Sequence, residues 1–422
     1  MLKTIAFLLC LAIVAIAFVP ERTEIQFIDD NFSFAEIQLK KMQKVADTYD
    51  SLFPKTVNKF DQLQLTDKYD WTSGFFSGNL WYAYQATKDD TLKADAIKWT
   101  EKLETLKNYT KQHDLGFMLY CSYGNAYRLT GDEKYKAVLV QAAKSLCTRF
   151  SPRTGTLKSW DVFNSWDGRT KYFYPVIIDN MMNLELLFFA SKITGDPYYK
   201  NIAITHALTT MKNQLRDDYS CYHVVCYDPA TGKVLAKETG QGYSNNSTWA
   251  RGQSWGIYGF TMAYRETGDK RFLTTAKKMA DYYIDNPELP VDKVPYWDFN
   301  ANDSGYVPSS TSYANQMPVK YRDASAAAIT ASALLELSVY LGENGGKYKK
   351  IAITILHSLS GSAYRAKIGE NGDFILKHSV GSIAHDVEID VPLVYADYYF
   401  LEALHRYRAL LNNKDPVKYV FK

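Results

Sequence analysis

The residue best placed to do chemistry in this sequence is an acid among apolar neighbours. In PVIIDNMMNLELLFF, Pro175 to Phe189, Asp179 has Asn180 and Asn183 as its near polar company and no cation beside it. A carboxyl desolvated in this way tends to keep its proton toward neutral pH. Cleavage of a glycosidic bond needs such an acid. A plainer reading stands beside it: Pro175 opens a helix, and Asp179 in its first turns favours the positive end of the dipole.

Three more segments carry suitable residues: HDLGFML from His113, YHVVCYD from Tyr222, and QGYSNNSTWARGQSWGIYG from Gln241 to Gly259. The last opens as a polar loop and closes as a helix, with Arg251 and Trp255 four apart on one face. A guanidinium beside an indole suits a carboxylated sugar, the fork taking the carboxylate and the ring packing on the indole; a capped helix with a snorkelling Arg fits the same spacing. Asp114 precedes an apolar helical stretch, where an acid is by default an N-cap. His223 lies in a predicted strand, and His206 on the helix ITHALTTM reads as core or surface. Gly252 to Gly256 matches the G-x-S-x-G pattern of serine esterases, yet no strand leads into it and no βαβ pattern surrounds it. H-E-x-x-H, Walker and dinucleotide motifs are missing from the sequence.

The elements that must hold these residues are helical. Thr130-Gly131-Asp132, Thr194-Gly195-Asp196 and Thr267-Gly268-Asp269 each follow one apolar helical pattern and precede another. Gly supplies the stop and Asp the next cap. Looser copies stand at Thr87 to Asp90 and Gly342 to Gly345. With an opening helix near 34–50 and a closing one near 397–412, this makes about twelve helices in hairpins, able to close into an inner and an outer ring. The fold class expected is all-α, with long loops at one rim: 149–175, 216–250 with a small hairpin, 286–322 and 366–391.

Composition narrows the partners. The net charge of +3 is too small for broad capture of nucleic acid, and the 15% aromatic share, with 33 Tyr and 8 Trp, suits platforms for sugar rings. Residues 1–20, a Lys, an apolar run and Ala15-Ile16-Ala17, read as a cleaved secretory signal, leaving 21–422 as one catalytic domain with no stable membrane insertion and a periplasmic address. Cys10 lies in the leader; Cys121, Cys147, Cys221 and Cys226 are expected as free, mostly buried thiols.

Together these segments resemble glycoside hydrolase family 88, the unsaturated glucuronyl hydrolases. The likeness covers most of the chain after the leader. It rests on DWTSGFFSGNLW from Asp70, HDLGF, SWD from Ser159, IIDNMMNLELL, YHVVCYDPATG, QGYSNNSTWARGQSWGIYG, VPYWDF from Val294, RDASAAAI from Arg322 and IDVPLVYADYYFLEAL from Ile389. The resemblance implies an (α/α)6 barrel, Asp179 as general acid and base, and Asp114 as the second essential carboxylate. It further implies that Trp71, Trp160, His223, Gln241, Arg251 and Trp255 line the sugar site. Extra residues between SWD and IIDN let Trp166 compete with Trp160, and Gly240 stands where relatives often have His.

The implied substrate is the 4,5-unsaturated glucuronic acid that a polysaccharide lyase leaves at a non-reducing end. The implied reaction is hydration of its enol ether, with no metal or organic cofactor. At the next sugar, LKHSVGSIAHD offers Lys377, His378, Ser379 and His385 to a sulfate or acidic group, as in ulvan or glycosaminoglycan fragments. An unsaturated rhamnogalacturonyl hydrolase on the same barrel and a non-catalytic carbohydrate-binding toroid are the alternatives.

Overall fold

The computed structural model describes residues 23–58 and 60–420; the leader read at 1–20, with Cys10, lies outside them. The opening helix α1 spans Glu24–Ala46. Four hairpins follow: α2 (Ser73–Thr87) with α3 (Asp90–Glu101), α4 with α5 (Glu133–Cys147), α6 (Asn180–Thr194) with α7 (Pro197–Asn213), and α8 (Ala250–Thr267) with α9 (Lys270–Asp285). Helix α4 begins as a π-helix, Gly116–Gly124, and runs on as Asn125–Thr130. A fifth pairs α10 (Ala324–Tyr340) with α11 (Gly346–Ser360), and α12 (Val394–Leu411) packs beside α1.

The even-numbered helices contact one another in order, and α12 returns to α2, closing an inner ring backed by the odd-numbered helices. Sequence pattern sorts the two layers. Helix α10, ASAAAITASALLELSVY, is buried on every side from Ala324 to Ser338; α9 buries only one face, Phe272, Thr275, Ala276, Met279, Ala280, Tyr283 and Ile284. Neighbouring inner helices approach closely, and a Cβ on Gly74 of α2 would stand 2.2 Å from the Met118 carbonyl of α4.

The repeated T-G-D phrase is the turn from inner to outer helix. Gly131, Gly195 and Gly268 have φ of 69°, 75° and 70°, left-handed conformations that glycine adopts without strain. Asp132, Asp196 and Asp269 then cap α5, α7 and α9 by accepting from Lys134, Tyr198 and Arg271 N–H.

These tight turns occupy one end of the ring. The long loops therefore collect at the other, where every inner helix starts. Segment 286–322 is a rim loop laced to those starts, not a linker: Trp297 O accepts from Ala250 N at 3.0 Å, and Pro295 O from Asp323 N at 2.9 Å. Short strands decorate the rim. Pro175–Ile177 pairs antiparallel with Val224–Tyr227, which pairs with Val234–Glu238. Pro175 thus opens a strand, and the helix behind Asp179 starts at Asn180. Cys121, Cys147, Cys221 and Cys226 are free and buried, as expected.

Candidate active site

Asp179 stands where the strand Pro175–Ile177 gives way to α6. Its side chain makes no capping bond. The dipole reading therefore lacks its hydrogen bond, and the carboxyl, at the rim end of the inner ring, is 7% exposed with Oδ2 unpartnered within the chain. Burial raises its pKa to about 7, against the opposing pull of the Arg251 charge and the Trp255 indole.

The sheet delivers His223 to the same spot. Ile178 N donates to His223 O at 3.0 Å, and His223 Nε2 lies 3.7 Å from Asp179 Oδ2. Two backbone donors settle the tautomer: Gly240 N and Gln241 N reach His223 Nδ1 at 3.0 and 3.1 Å. A nitrogen that accepts twice carries no proton, so the neutral ring bears it on Nε2, toward Asp179. Burial lowers the His223 pKa to about 3 and keeps the ring neutral. At position 240 only the backbone N–H is used here, which Gly supplies as well as His.

Asp114 sits just before α4 and is 6% exposed. It is not a cap; Leu115 holds that position without a side-chain bond. Asn183 of α6 donates to Asp114 Oδ1 at 3.3 Å, and His113 Nε2 lies 3.3 Å from the same oxygen. Burial, then repulsion by Asp179, raises Asp114 to about 8.

Arg251 and Trp255 share a helix face as expected, but both are more enclosed than the spacing suggested. Trp255 is fully buried between Phe117 and Tyr399, with ring centroids 5.1 and 5.3 Å away; it is a floor, not a platform. Arg251 lies against Trp249 and Tyr395, at 4.5 and 5.3 Å. Its Nη1 donates to Val380 O and, at 3.4 Å, to Asp323; its Nη2 donates to Gly381 O at 2.8 Å. The terminal fork is therefore spent on the 379–382 strand, which Gln241 also holds through Gly381 O at 3.1 Å. The Nε–H, buried and unpartnered, is the donor left over.

Above this floor a cavity of about 240 Å³ is lined by Trp71, Gln241, Arg251, His385, Lys55 and Glu388, among others. Trp71 is half-buried and packs on Tyr395 at 4.7 Å. Trp160 stands edge-on to His113 at 6.4 Å and stacks on Phe163 at 6.1 Å; Trp166 lines a different cavity.

Of the residues offered to the next sugar, Lys377 Nζ bonds Ser362 O at 3.0 Å, His378 pairs with Asp390 at 2.7 Å, and Ser379 is fully buried; these three lie outside the lining of this cavity. Anchoring by Arg251 and Asp323 turns the backbone of Val380 and Gly381 inward. The fourth candidate, His385, does line the cavity, joined to Ser382 at 2.7 Å. Sequence reading missed Lys55, which bridges Asp70 at 2.9 Å and Glu388 at 3.1 Å, because no motif ties together residues so far apart in the chain.

The esterase pattern is helix packing. Ser254 Oγ lies 2.9 Å from Ala250 O and 3.0 Å from Ala326 O, and accepts from Thr330 at 2.8 Å with no His in contact. Ser254→Ala is expected to leave turnover of sugar substrates within about twofold of the parent, since no reacting group is removed; a steady-state assay of the purified variant checks it.

Two buried acids held near neutral pH at the mouth of a helical ring are the equipment of a glycoside hydrolase. The profile of Glycosyl Hydrolase Family 88 matches residues 42–408, and the chain belongs to that family. It is similar to an unsaturated glucuronyl hydrolase of Formosa agariphila, 46% identical over 364 residues, 86% of this chain and 84% of the relative. An unsaturated chondroitin disaccharide hydrolase of Streptococcus agalactiae is 34% identical over 88% of this chain and 90% of its own length. The crystal structure of an unsaturated glucuronyl hydrolase specific for heparin superposes with a TM-score of 0.83 at 47% identity, covering 92% of this chain and 98% of the other. The chain is accordingly an enzyme on the (α/α)6 barrel, not a binding-only toroid.

Proposed function

We propose that this glycoside hydrolase removes 4,5-unsaturated glucuronic acid from the non-reducing end of lyase-generated oligosaccharides by hydrating the enol ether. The observation that carries the proposal is the Asp179 carboxyl, raised to about 7 and faced by a neutral His223 whose Nε2–H is fixed in place. Asp179 delivers its proton to carbon 4, and positive charge develops at carbon 5 and the ring oxygen. Water adds at carbon 5 and returns a proton to Asp179. The hemiketal then opens and releases the neighbouring sugar.

Asp114, once ionised, stabilises the charge at carbon 5. Substrate itself favours that arrangement: a uronate carboxylate against the Arg251 Nε–H offsets the guanidinium charge that otherwise pulls Asp179 down. The wall with Ser382 and His385 faces the next sugar. A sulfated partner, from a heparin-type glycosaminoglycan or from ulvan, is the reading favoured by the 47% identity to the heparin-specific structure over the 34% to the chondroitin relative. The setting we propose is the periplasm, after cleavage of the leader, with 21–422 as one catalytic domain.

The rate follows the protonated fraction of Asp179. Burial has raised its pKa, so the acid form persists to neutrality and is lost as pH rises through about 7. Initial rates of ultraviolet absorbance loss between about pH 5 and about pH 9 are expected to fall on the alkaline side. A rate that stays flat to the alkaline end would remove Asp179 from the role of acid.

A further inference from the structure

Trp166 belongs to a second cavity that the reaction does not use. The strand Phe163–Asn164 pairs with Lys171–Tyr172, and the turn between them projects Trp166 against the loop at Ser309 and Ser310. The half-open space is about 220 Å³, room for one pyranose ring, and is walled by Trp166, Tyr172, Asn245, Ser309 and Glu238, among others. Its chemistry is that of sugar recognition, with aromatic faces beside hydroxyl and amide groups.

The cavity is built, not incidental. Glu238, 7% exposed, accepts the Trp166 backbone N–H and faces the Tyr172 hydroxyl. Thr311 Oγ1 reaches Trp166 O at 3.4 Å from across the gap. The indole N–H of Trp166 is shielded from solvent and has no hydrogen-bond partner in the chain.

An aromatic strip joins this cavity to the catalytic corner. Trp160 stacks on Phe163, Phe163 lies opposite Tyr172 in the strand pair, and Tyr172 lines the cavity. At its inner end, Phe163 Cε2 would lie 3.6 Å from a Cβ at position 240, beside His223. The residues lining the cavity include two carboxylates, Asp167 and Glu238, and no Lys or Arg. They would repel a sulfate or a uronate.

We propose that this cavity is a distal subsite for an uncharged sugar ring, lying beyond the first two residues of the oligosaccharide. The inference rests on the reaction proposed above, and its test separates the two. Parent and Trp166→Ala are compared on a disaccharide and a tetrasaccharide sharing the same unsaturated end, with an uncharged sugar in the tetrasaccharide's distal half. The expected result is a drop in kcat/KM of about tenfold on the tetrasaccharide, carried by KM, with the disaccharide unchanged. Trp166→Phe, which keeps a ring, should recover most of the loss.

Equal losses on both substrates, or a parent indifferent to chain length, would overturn the subsite. If the parent turned over neither substrate, the proposed reaction would fail instead. Calorimetric titration of the tetrasaccharide would then decide the subsite: binding about tenfold weaker in Trp166→Ala supports it, and equal binding overturns it.

Discussion

Asp179→Asn is expected to lower kcat by at least about a thousandfold while leaving the fold intact. Asn matches Asp in size, so the packing at the start of α6 is kept, but an amide has no proton to give to carbon 4. The change also removes a buried carboxyl whose Oδ2 finds no partner. Its desolvation cost disappears with it, so the melting temperature should hold or rise. Absorbance loss and a thermal melt on the same preparation check both halves. Residual activity above about a tenth of the parent, with the melt unchanged, would mean that the proton comes from elsewhere.

Asp114→Asn is expected to cost about a hundredfold to a thousandfold in kcat with KM changed by less than about threefold. The split follows from the role assigned to it. An ionised Asp114 interacts with charge that exists only as the double bond is protonated, so its loss is felt in the transition state and not in binding. The bond from Asn183 to Asp114 Oδ1 tolerates an amide, whose carbonyl oxygen can accept in the same place. A large rise in KM with kcat preserved would instead make Asp114 a binding residue. Burial, then repulsion by Asp179, raises Asp114 to about 8, so the two acids lose protons as a pair. Removing one should sharpen the alkaline limb into a single transition.

Much of this arrangement is legible in the residues themselves. The T-G-D phrases announce their turns because a left-handed Gly and an Asp cap are local requirements, independent of the rest of the chain. Asp179 stands out because the apolar residues that flank it in sequence, Ile177, Ile178, Met181 and Met182, are themselves buried. Inner helices such as α10 show their position by being apolar all round.

Where the reading falls short, the deciding partner is distant in sequence. Spacing puts Arg251 and Trp255 on one face, but Val380, Gly381 and Asp323 determine what covers the guanidinium, and Phe117 and Tyr399 what covers the indole. Lys377, His378 and Ser379 carry suitable groups, yet the anchoring of Val380 and Gly381 decides which of their neighbours face the cavity. Lys55 meets Glu388 only because the ring closes α12 onto α2. Even the helix that Pro175 was read to open depends on a remote strand, Val224–Tyr227, which draws Pro175–Ile177 into a sheet.

The most direct measurement follows ultraviolet absorbance and released sugar together, for the purified protein on matched pairs of oligosaccharides with unsaturated and saturated uronate ends. Heparin, chondroitin and ulvan lyase products supply the unsaturated members. The account predicts loss of absorbance in step with sugar release from unsaturated ends, fastest on a sulfated substrate, and no release from the saturated partners. Release from saturated ends at a comparable rate, or no loss of absorbance on any unsaturated product, would contradict it.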